Sequence, residues 1–496
     1  MIHAYTGSAV RAAEKPLLDA GHGDALMRRA AWGLATCVLR QLRARGPVAG
    51  VAVAALVGTG NNGGDALWAL SFLRRRGVDV VAVPMAERMH PAGLAAFLQA
   101  GGRVVERVPA RTTLLIDAVL GTGARGGWDT TAIPGLPPGV TVVACDLPSG
   151  VDADTGQVAG GVIPADITVT FGALKTGLVV GAGAQAAGRV EVVDIGLGPY
   201  LPAPDVSSLE RHDALAMFAP PAWDDHKYSR GVLGVAAGSE KYSGAAVLVC
   251  SAALASGLGM VQYAGPEPVR QHVLSALPEV VAGSDTQGKA RAWVAGSGLG
   301  SGDEARSRLA EVIETCVEGG LPLVLDASAL DLVTREDLDR LRAAGAPVVL
   351  TPHHGELLRV AGRLAPEMNV SFHAVAEMDT VTAARAVARE LGAVVLLKGP
   401  TTVCAAPDGH TVVQNEGGPE LATAGSGDTL AGLVGSALTH AEHGEPVSPV
   451  KKAAAAAWLH GAAGVRAAAY GPFGASMLAA AVRSVLVNAV HPARLD

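Results

Sequence analysis

Two stretches of the chain bring side chains with acid–base or phosphate chemistry onto tight glycine turns. The first, VAVAALVGTGNNGGDALWAL, sets Gly58, Gly60 and Gly63 in a GxGxxG pattern between an apolar run and a helical one. Glycines there let the backbone approach a phosphate, and the next helix offers free N–H groups to an anion. A dinucleotide site would add Asp79 as a ribose acid. The unusual part is Asn61, Asn62, Gly63, Gly64 and Asp65, two amides and a carboxylate on one turn. The second stretch, ATAGSGDTLAG, leads Gly425, Ser426 and Gly427 into Asp428. Such a turn cradles a phosphate through backbone N–H groups, and a carboxylate beside it can take a proton from an attacking hydroxyl. An ordinary capped helix start is the plainer alternative. No GxxxxGK[ST] is present, so this is not a P-loop.

Further acids follow apolar runs. Asp117 ends IDAVLGTGARG, and CDLPSGVDADTG carries Asp146, Ser149, Asp152 and Asp154; TFGALKTGL carries Lys175. Acidic and amide oxygens without His or Cys favour a hard or alkali cation over zinc. Asp152 and Asp154 serve equally well as turn formers. In the second half, AGSGLGSG, TPHHGE and LLKGPTTV supply Gly298, His353, Glu356, Lys398, Thr401 and Thr402. Adjacent His353 and His354 point apart and make a poor zinc pair. Trp223, Tyr228 and Tyr242 read as packing groups.

The elements that hold these turns are short apolar runs alternating with helical patterns. VAVAALVG, VDVVAVPM, TLLIDAVLG, VTVVACDLP, ITVTFG and VEVVDIG form one set. GVLGVAAG, GMVQYAG, AWVAGSGLG, LPLVLDAS, APVVLTPH and AVVLLKG form another. Such runs mark parallel sheets buried on both faces, whose ligands bind beyond the carboxyl ends of the strands. Residues 8–42 read as one amphipathic helical segment, and residues 243–265 as a buried helix running into a strand. The Gly- and Pro-rich stretch 196–206 reads as a connection. The fold class expected is α/β in two domains, residues 1–200 and 213–496, with 201–212 as linker.

Composition agrees. The 496 residues are 49% hydrophobic, 17% charged and 4% aromatic, which excludes a disordered chain. A net charge of −7 with no basic run argues against nucleic-acid or membrane partners. Five scattered cysteines without a CxxC pair fit a reducing, cytoplasmic setting. Nothing at the N-terminus resembles a secretory signal.

Taken together, these motifs resemble two families. Residues 1–198, from YTGSAVRAAE through GTGNNGGD and DLPSGVDADTG to TFGALKTGL, are similar to the NAD(P)H-hydrate epimerases. That resemblance implies a Rossmann-like three-layer sandwich. Asn61, Asn62, Gly63, Gly64, Asp65, Gly121, Thr122, Gly123, Ala124, Arg125, Gly126 and Gly127 would hold the hydrated nucleotide. Asn62, Asp117 and Ser149 would bind potassium, and Asp146 would contact substrate, with Lys175 as our assignment for its proton partner. Ala66 stands where the family continues with Gly. Residues 213–496 look like the ADP- or ATP-dependent NAD(P)H-hydrate dehydratases, which implies a ribokinase-like α/β/α domain. Ala245, Gly298, His353 and Asp428 would contact the hydrate. Lys398, Gly399, Pro400, Thr401, Thr402 and Gly427 would hold the phosphoryl donor.

The expectation is a bifunctional repair enzyme with catalytic Asp428, Asp146 and Lys175, small-molecule partners, K⁺, Mg²⁺ and ADP or ATP, assembled as a homo-oligomer. The alternatives are a hydroxymethylpyrimidine kinase-like enzyme and a first domain that only binds nucleotide.

Overall fold

The computed structural model describes residues 1–123, 135–218, 220–286, 288–365, 375, 378–440 and 446–490. The chain divides into two compact units, His3–Val206 and, with Met1–Ile2, Ser207–Asp496. Each is an α/β structure.

The strands of the first unit are β1 (Ile2–Tyr5), β2 (Ala52–Val57), β3 (Asp79–Pro84), β4 (Arg103–Val104), β5 (Leu114–Ala118), β6 (Thr141–Cys145), β7 (Ile167–Phe171), β8 (Leu174–Lys175) and β9 (Arg189–Val193). The apolar runs at β2, β5, β6 and β7 are buried along their whole length, whereas the edge strands β4 and β9 are exposed or half-buried. Seven of them form a parallel sheet in the order β4-β3-β2-β5-β6-β7-β9. β1 pairs in parallel with β8 through Ala4 and Leu174. Alternate residues serve alternate faces. Val53, Ala55 and Val57 join the helix residues Leu34, Val38, Leu67 and Leu70, while Ala54 and Leu56 pack with Val108, Leu115 and Ile163. Chain order reverses at β2, which has β3 on one side and β5 on the other, so the crevice beyond β2 and β5 is where an α/β sheet takes its ligand.

The single helical segment expected over residues 8–42 is two helices, Gly7–Asp19 and Gly23–Arg43. Gly21 between them has φ +81°, a left-handed conformation that ends the first helix.

In the second unit the strands are β10 (Val206–Ser208), β11 (Val232–Ala236), β12 (Met260–Ala264), β13 (Val281–Gly283), β14 (Ala292–Ala295), β15 (Leu323–Leu325), β16 (Val348–Leu350), β17 (Val394–Leu397), β18 (Thr402–Ala405) and β19 (Thr411–Gln414). Their order is β13-β12-β11-β14-β15-β16-β17-β18-β19-β10. All pairs are parallel except those of the hairpin, β17 with β18 and β18 with β19. Order reverses at β11, between β12 and β14. Helices Ser243–Ala255, Ser426–Thr439 and Pro449–Ala468 join Leu233, Val235 and Val294 in one large core. Helix Asp303–Gly319, whose buried residues lie outside that core cluster, packs on β14 and β11. The stretch 201–212, expected as linker, carries β10 and the first residues of helix Arg211–Ala216.

Residues 243–265 are helix Ser243–Ala255 followed by β12. Among the described residues no helix is long and apolar enough to cross a membrane. All five cysteines are free and buried.

Candidate functional sites

In the first unit, β2 runs into the glycine turn and helix Asn61–Arg74 starts at once. A methyl group on Gly63 would strike the Gly58 carbonyl oxygen, so the tight turn requires glycine there. Asn62 Nδ2 donates to Leu120 O at 2.9 Å, leaving Asn62 Oδ1 buried with no hydrogen-bond partner. Leu120 N donates to Ser149 Oγ at 2.9 Å, and Ser149 Oγ donates to Asp117 Oδ1 at 2.6 Å. Asp117 is fully buried at the end of β5, and burial raises its carboxyl above the usual range against the bonds from Ser149. An orphaned amide oxygen, a hydroxyl and a buried carboxylate, tied by one chain of hydrogen bonds, suit a potassium ion.

Beside them lies a buried acid–base group. Lys175 Nζ stands 2.6 Å from Asp146 Oδ1, 3.0 Å from Thr170 Oγ1 and 2.8 Å from Phe171 O. Thr122 donates to the other carboxylate oxygen from its hydroxyl and its backbone N–H. Burial works against the charge on Asp146, but the Lys175 ammonium and these bonds outweigh it and hold the carboxyl below its ordinary value. Asp65 is pushed the other way. Burial, then the charges of Asp146 and Glu14, drive it well above the usual carboxylate range, and its Oδ1 has no partner. Two carboxyls with opposed shifts in one crevice make an anion and a proton store.

Glu14 was not legible as a site residue, although Val10, Ala13, Glu14 and Leu17 share one helix face, where an acid is out of place. Ala124, Arg125, Gly126 and Gly127 lie outside the described residues. Asp79 is not a ribose acid. It opens β3 at the strand's amino end, away from the glycine turns, and pairs there with Arg103 at 3.2 Å and with Arg111. Asp152 is a turn former, accepting from Asp154 N at 3.0 Å and Thr155 N at 2.8 Å, and Asp154 accepts from Gly7 N at 2.5 Å. Ala66 is fully buried in the core.

In the second unit, Gly425 takes φ +87° and turns the chain into helix Ser426–Thr439. Across from it Lys398, at the end of β17, lies 2.9 Å from Asp326 Oδ1 and 3.6 Å from Glu356 Oε2. A methyl on Gly427 would sit 3.6 Å from Lys398 Nζ, so the glycine turn and the ammonium face one another. Burial lowers the Lys398 value, but Asp326 and Glu356 raise it further, and it stays an ammonium. Burial lifts Asp428, and so does the charge of Asp326, against a hydrogen bond with Ser297 and the charge of Lys398. Ser426 Oγ lies 3.1 Å from Nε2 of the buried His460.

Gly298 approaches Ala245 closely; a Cβ there would stand 2.8 Å from the alanine methyl. His353 caps helix His354–Leu364, its Nδ1 accepting from Glu356 N at 3.3 Å. Thr401 Oγ1 donates to Asn415 Oδ1 at 2.6 Å, while Gly399, Pro400 and Thr402 lead into β18. The only three-residue cluster of His, Cys or acidic ligands among the described residues is Glu210, His212 and Asp213, so no such cage stands at the Lys398 site. Trp223, in a turn, is fully exposed, and Tyr242, at the end of the 3₁₀ helix Glu240–Tyr242, is half-exposed, so neither is a buried packing group. Tyr228 lies under Lys289, 4.3 Å from ammonium to ring.

Asp326 escaped the sequence reading, although LPLVLDAS ends an apolar run on an acid just as TLLIDAVLG does at Asp117. Among the described residues only two non-glycines have positive φ, Asp146 at +67° and Ala327 at +47°, one at each site. Strained backbone of this kind persists where the surroundings enforce it, and it gathers at functional sites.

Residues 233–486 match the family model described as NAD(P)H-hydrate dehydratase, and residues 23–177 match that of the YjeF-related protein N-terminus. The chain is 44% identical over 446 residues to the bifunctional NAD(P)H-hydrate repair enzyme Nnr of Mycobacterium tuberculosis H37Rv, covering 88% of this chain and 89% of that protein. With the Corynebacterium glutamicum protein of the same name it shares 34% over 510 residues, covering 88% and 86%. A crystal structure of the ADP/ATP-dependent NAD(P)H-hydrate dehydratase from Bacillus subtilis, co-crystallised with ATP/Mg²⁺, has 27% identity and a TM-score of 0.48 over 57% of this chain and 98% of that one. With both family models in one chain and such identity along most of its length, this protein belongs to the family of bifunctional NAD(P)H-hydrate repair enzymes.

Proposed function

We propose that the two units share the repair of hydrated NADH and NADPH, the first interconverting the R and S hydrates and the second dehydrating the S form. The damaged ring carries a hydroxyl on C6, and hydroxide is a poor leaving group. In the second unit Asp428 takes the hydroxyl proton while the oxygen attacks the terminal phosphoryl of ADP or ATP and displaces AMP or ADP. The C6 oxygen then leaves as phosphate, driven by the ring nitrogen's lone pair. Loss of a C5 proton restores the dihydropyridine. Lys398 and the N–H groups of the Gly425–Gly427 turn hold the phosphoryl oxygens. Mg²⁺ would arrive with the donor's phosphates and would supply charge neutralisation there. ADP is the donor we expect. The observation that carries this reading is Lys398 facing Gly427 at the head of the Asp428 helix.

In the first unit, the hydroxyl leaves C6 as water with a proton from Asp65, giving a planar iminium. Water returns to the other face, and the Asp146 carboxylate, paired with Lys175, takes up its proton. The opposed shifts of Asp65 and Asp146 support this division. Asn62, Asp117 and Ser149 would hold potassium, which supplies a fixed positive charge beside the turn that grips the substrate.

The test is absorbance recovery at the NADH band from mixed R and S hydrates with Mg²⁺, K⁺ and ADP or ATP. Complete recovery supports both activities, and recovery confined to one epimer removes the first. No recovery, with a phosphorylated product of another small molecule, would favour a kinase.

A further inference from the structure

β1 and the helix that follows it reach both partners of Asp146. β1 lies beside β8 with Tyr5 opposite Lys175. Asp205 ties the two strands together, its N–H donating to Ala4 O at 2.9 Å and its Oδ2 accepting from Thr176 Oγ1 at 2.9 Å. Thr6 then caps helix Gly7–Asp19, accepting from Ala9 N at 3.1 Å. Gly7, Arg11 and Glu14 recur at helical spacing and share one face of that helix. Gly7 N donates to Asp154 Oδ1 at 2.5 Å, and Arg11 Nη1 donates to Thr122 O. Thr122 in turn gives its hydroxyl proton to Asp146 Oδ2, while Lys175 Nζ holds Oδ1 at 2.6 Å. A Cβ on Gly7 would stand 2.5 Å from Thr122 Cγ2 and 2.9 Å from Ala153 Cβ, so the helix meets the threonine at a separation that only glycine allows. Glu14, half-buried on the same face, lies within reach of the Lys175 and Asp146 charges.

We propose that Arg11 and Gly7 are positioning residues of the epimerisation site, setting the Thr122 hydroxyl on Asp146 through the threonine's carbonyl and its methyl group. The inference rests on Asp146 being the group that exchanges a proton with water there. A carboxylate held at one oxygen by Lys175 can still swing about its Cβ–Cγ bond. A donor on the second oxygen fixes its plane and so the direction from which it meets water. Thr122 stands between Gly121 and Gly123, whose backbones are the freest in the chain, so the threonine needs an anchor from outside its own turn. Arg11 supplies that anchor with a charged donor on the Thr122 carbonyl. The arginine is itself exposed and acts through the turn.

The test uses the full chain, with epimer exchange of hydrated NADH and dehydration of the S hydrate read on the same sample. Arg11→Ala should lower kcat for exchange about tenfold while KM changes less than about threefold. Thr122→Val should cost as much or more, and the double variant should match Thr122→Val alone within about twofold, because the arginine works through the threonine. Arg11→Lys can still donate to the carbonyl and should recover most of the loss. Gly7→Ala pushes on the same threonine and should slow exchange with Arg11 intact. Dehydration should hold at the parent rate throughout. Arg11→Ala exchanging at the parent rate, while Asp146→Asn is inactive, would overturn the proposal and leave the role of Asp146 standing. Losses that multiply in the double variant would overturn it as well. Asp146→Asn with normal exchange would remove the reading beneath the proposal, and the proposal with it.

Discussion

Lys175 Nζ lies 2.6 Å from Asp146 Oδ1, with both side chains shut away from water. Each charge is tolerable there only because the other is present. Lys175→Met should cost about 3–5 kcal/mol in urea unfolding, since it strands a buried carboxylate. The double variant Lys175→Met with Asp146→Asn should recover much of that stability and none of the epimerisation. Equal losses in the single and double variants would show that the pair is not coupled.

Asp65 and Asp146 should bend the pH dependence of stability in opposite directions. The folded-state value of Asp65 is raised, so between the ordinary carboxylate value and that raised value the native state binds the extra proton, and stability falls as pH rises. Asp146 is lowered, so its contribution is present above the ordinary value and lost as pH falls through the lowered one. Urea titrations across pH should find Asp65→Asn losing less stability toward neutral pH than the parent, together with loss of epimer exchange. An unchanged slope would mean that Asp65 is ionised in the folded protein.

His460 and His440 are both pushed down to about 4, chiefly by burial. Unfolding lets them take protons below about 6.5, so stability they contribute at neutral pH is lost as pH falls from there toward 4. The ceiling for His460 is roughly 3 kcal/mol. His460→Gln should flatten acid destabilisation in that window and, by loosening the Ser426 turn, slow dehydration while epimerisation continues. Thermal scans between pH 4 and 7 would check this.

Gly298 has φ +68°, and a side chain there meets Ala245 and Tyr242 at 2.8 and 3.0 Å. Gly298→Ala should destabilise the second unit by about 1–3 kcal/mol and sharply lower dehydration. Epimer exchange, followed on the same sample, should be unaffected. A variant that dehydrates normally would remove Gly298 from the substrate site.

What the sequence made legible was local and periodic. The unbroken apolar runs announced strands covered on both faces, and acids placed just after them announced sites at the carboxyl ends. Asn62, Asp117 and Ser149, far apart in the chain, meet because three such ends converge. Less visible were features that depend on what packs opposite. Asp79 carries the right chemistry at the wrong end of its strand. Glu14 is an acid on an inward helix face, and its meaning appears only once Lys175 and Asp146 lie near it. The hairpin of β18 and β19 is absent from that reading, although Pro407, Asp408 and Gly409 form a standard turn signal between its two strands.

The cysteines have a practical consequence. Burial raises Cys37 to about 11 and Cys316 to about 12, and lifts Cys145, Cys250 and Cys404 too. The native protein thus offers almost no thiolate to an alkylating reagent, and each sulfur becomes a clock for opening of its surroundings. Cys37 and Cys145 time the first unit, and Cys250, Cys316 and Cys404 the second. One labelling experiment read by peptide mass would tell whether the two halves melt together or one at a time.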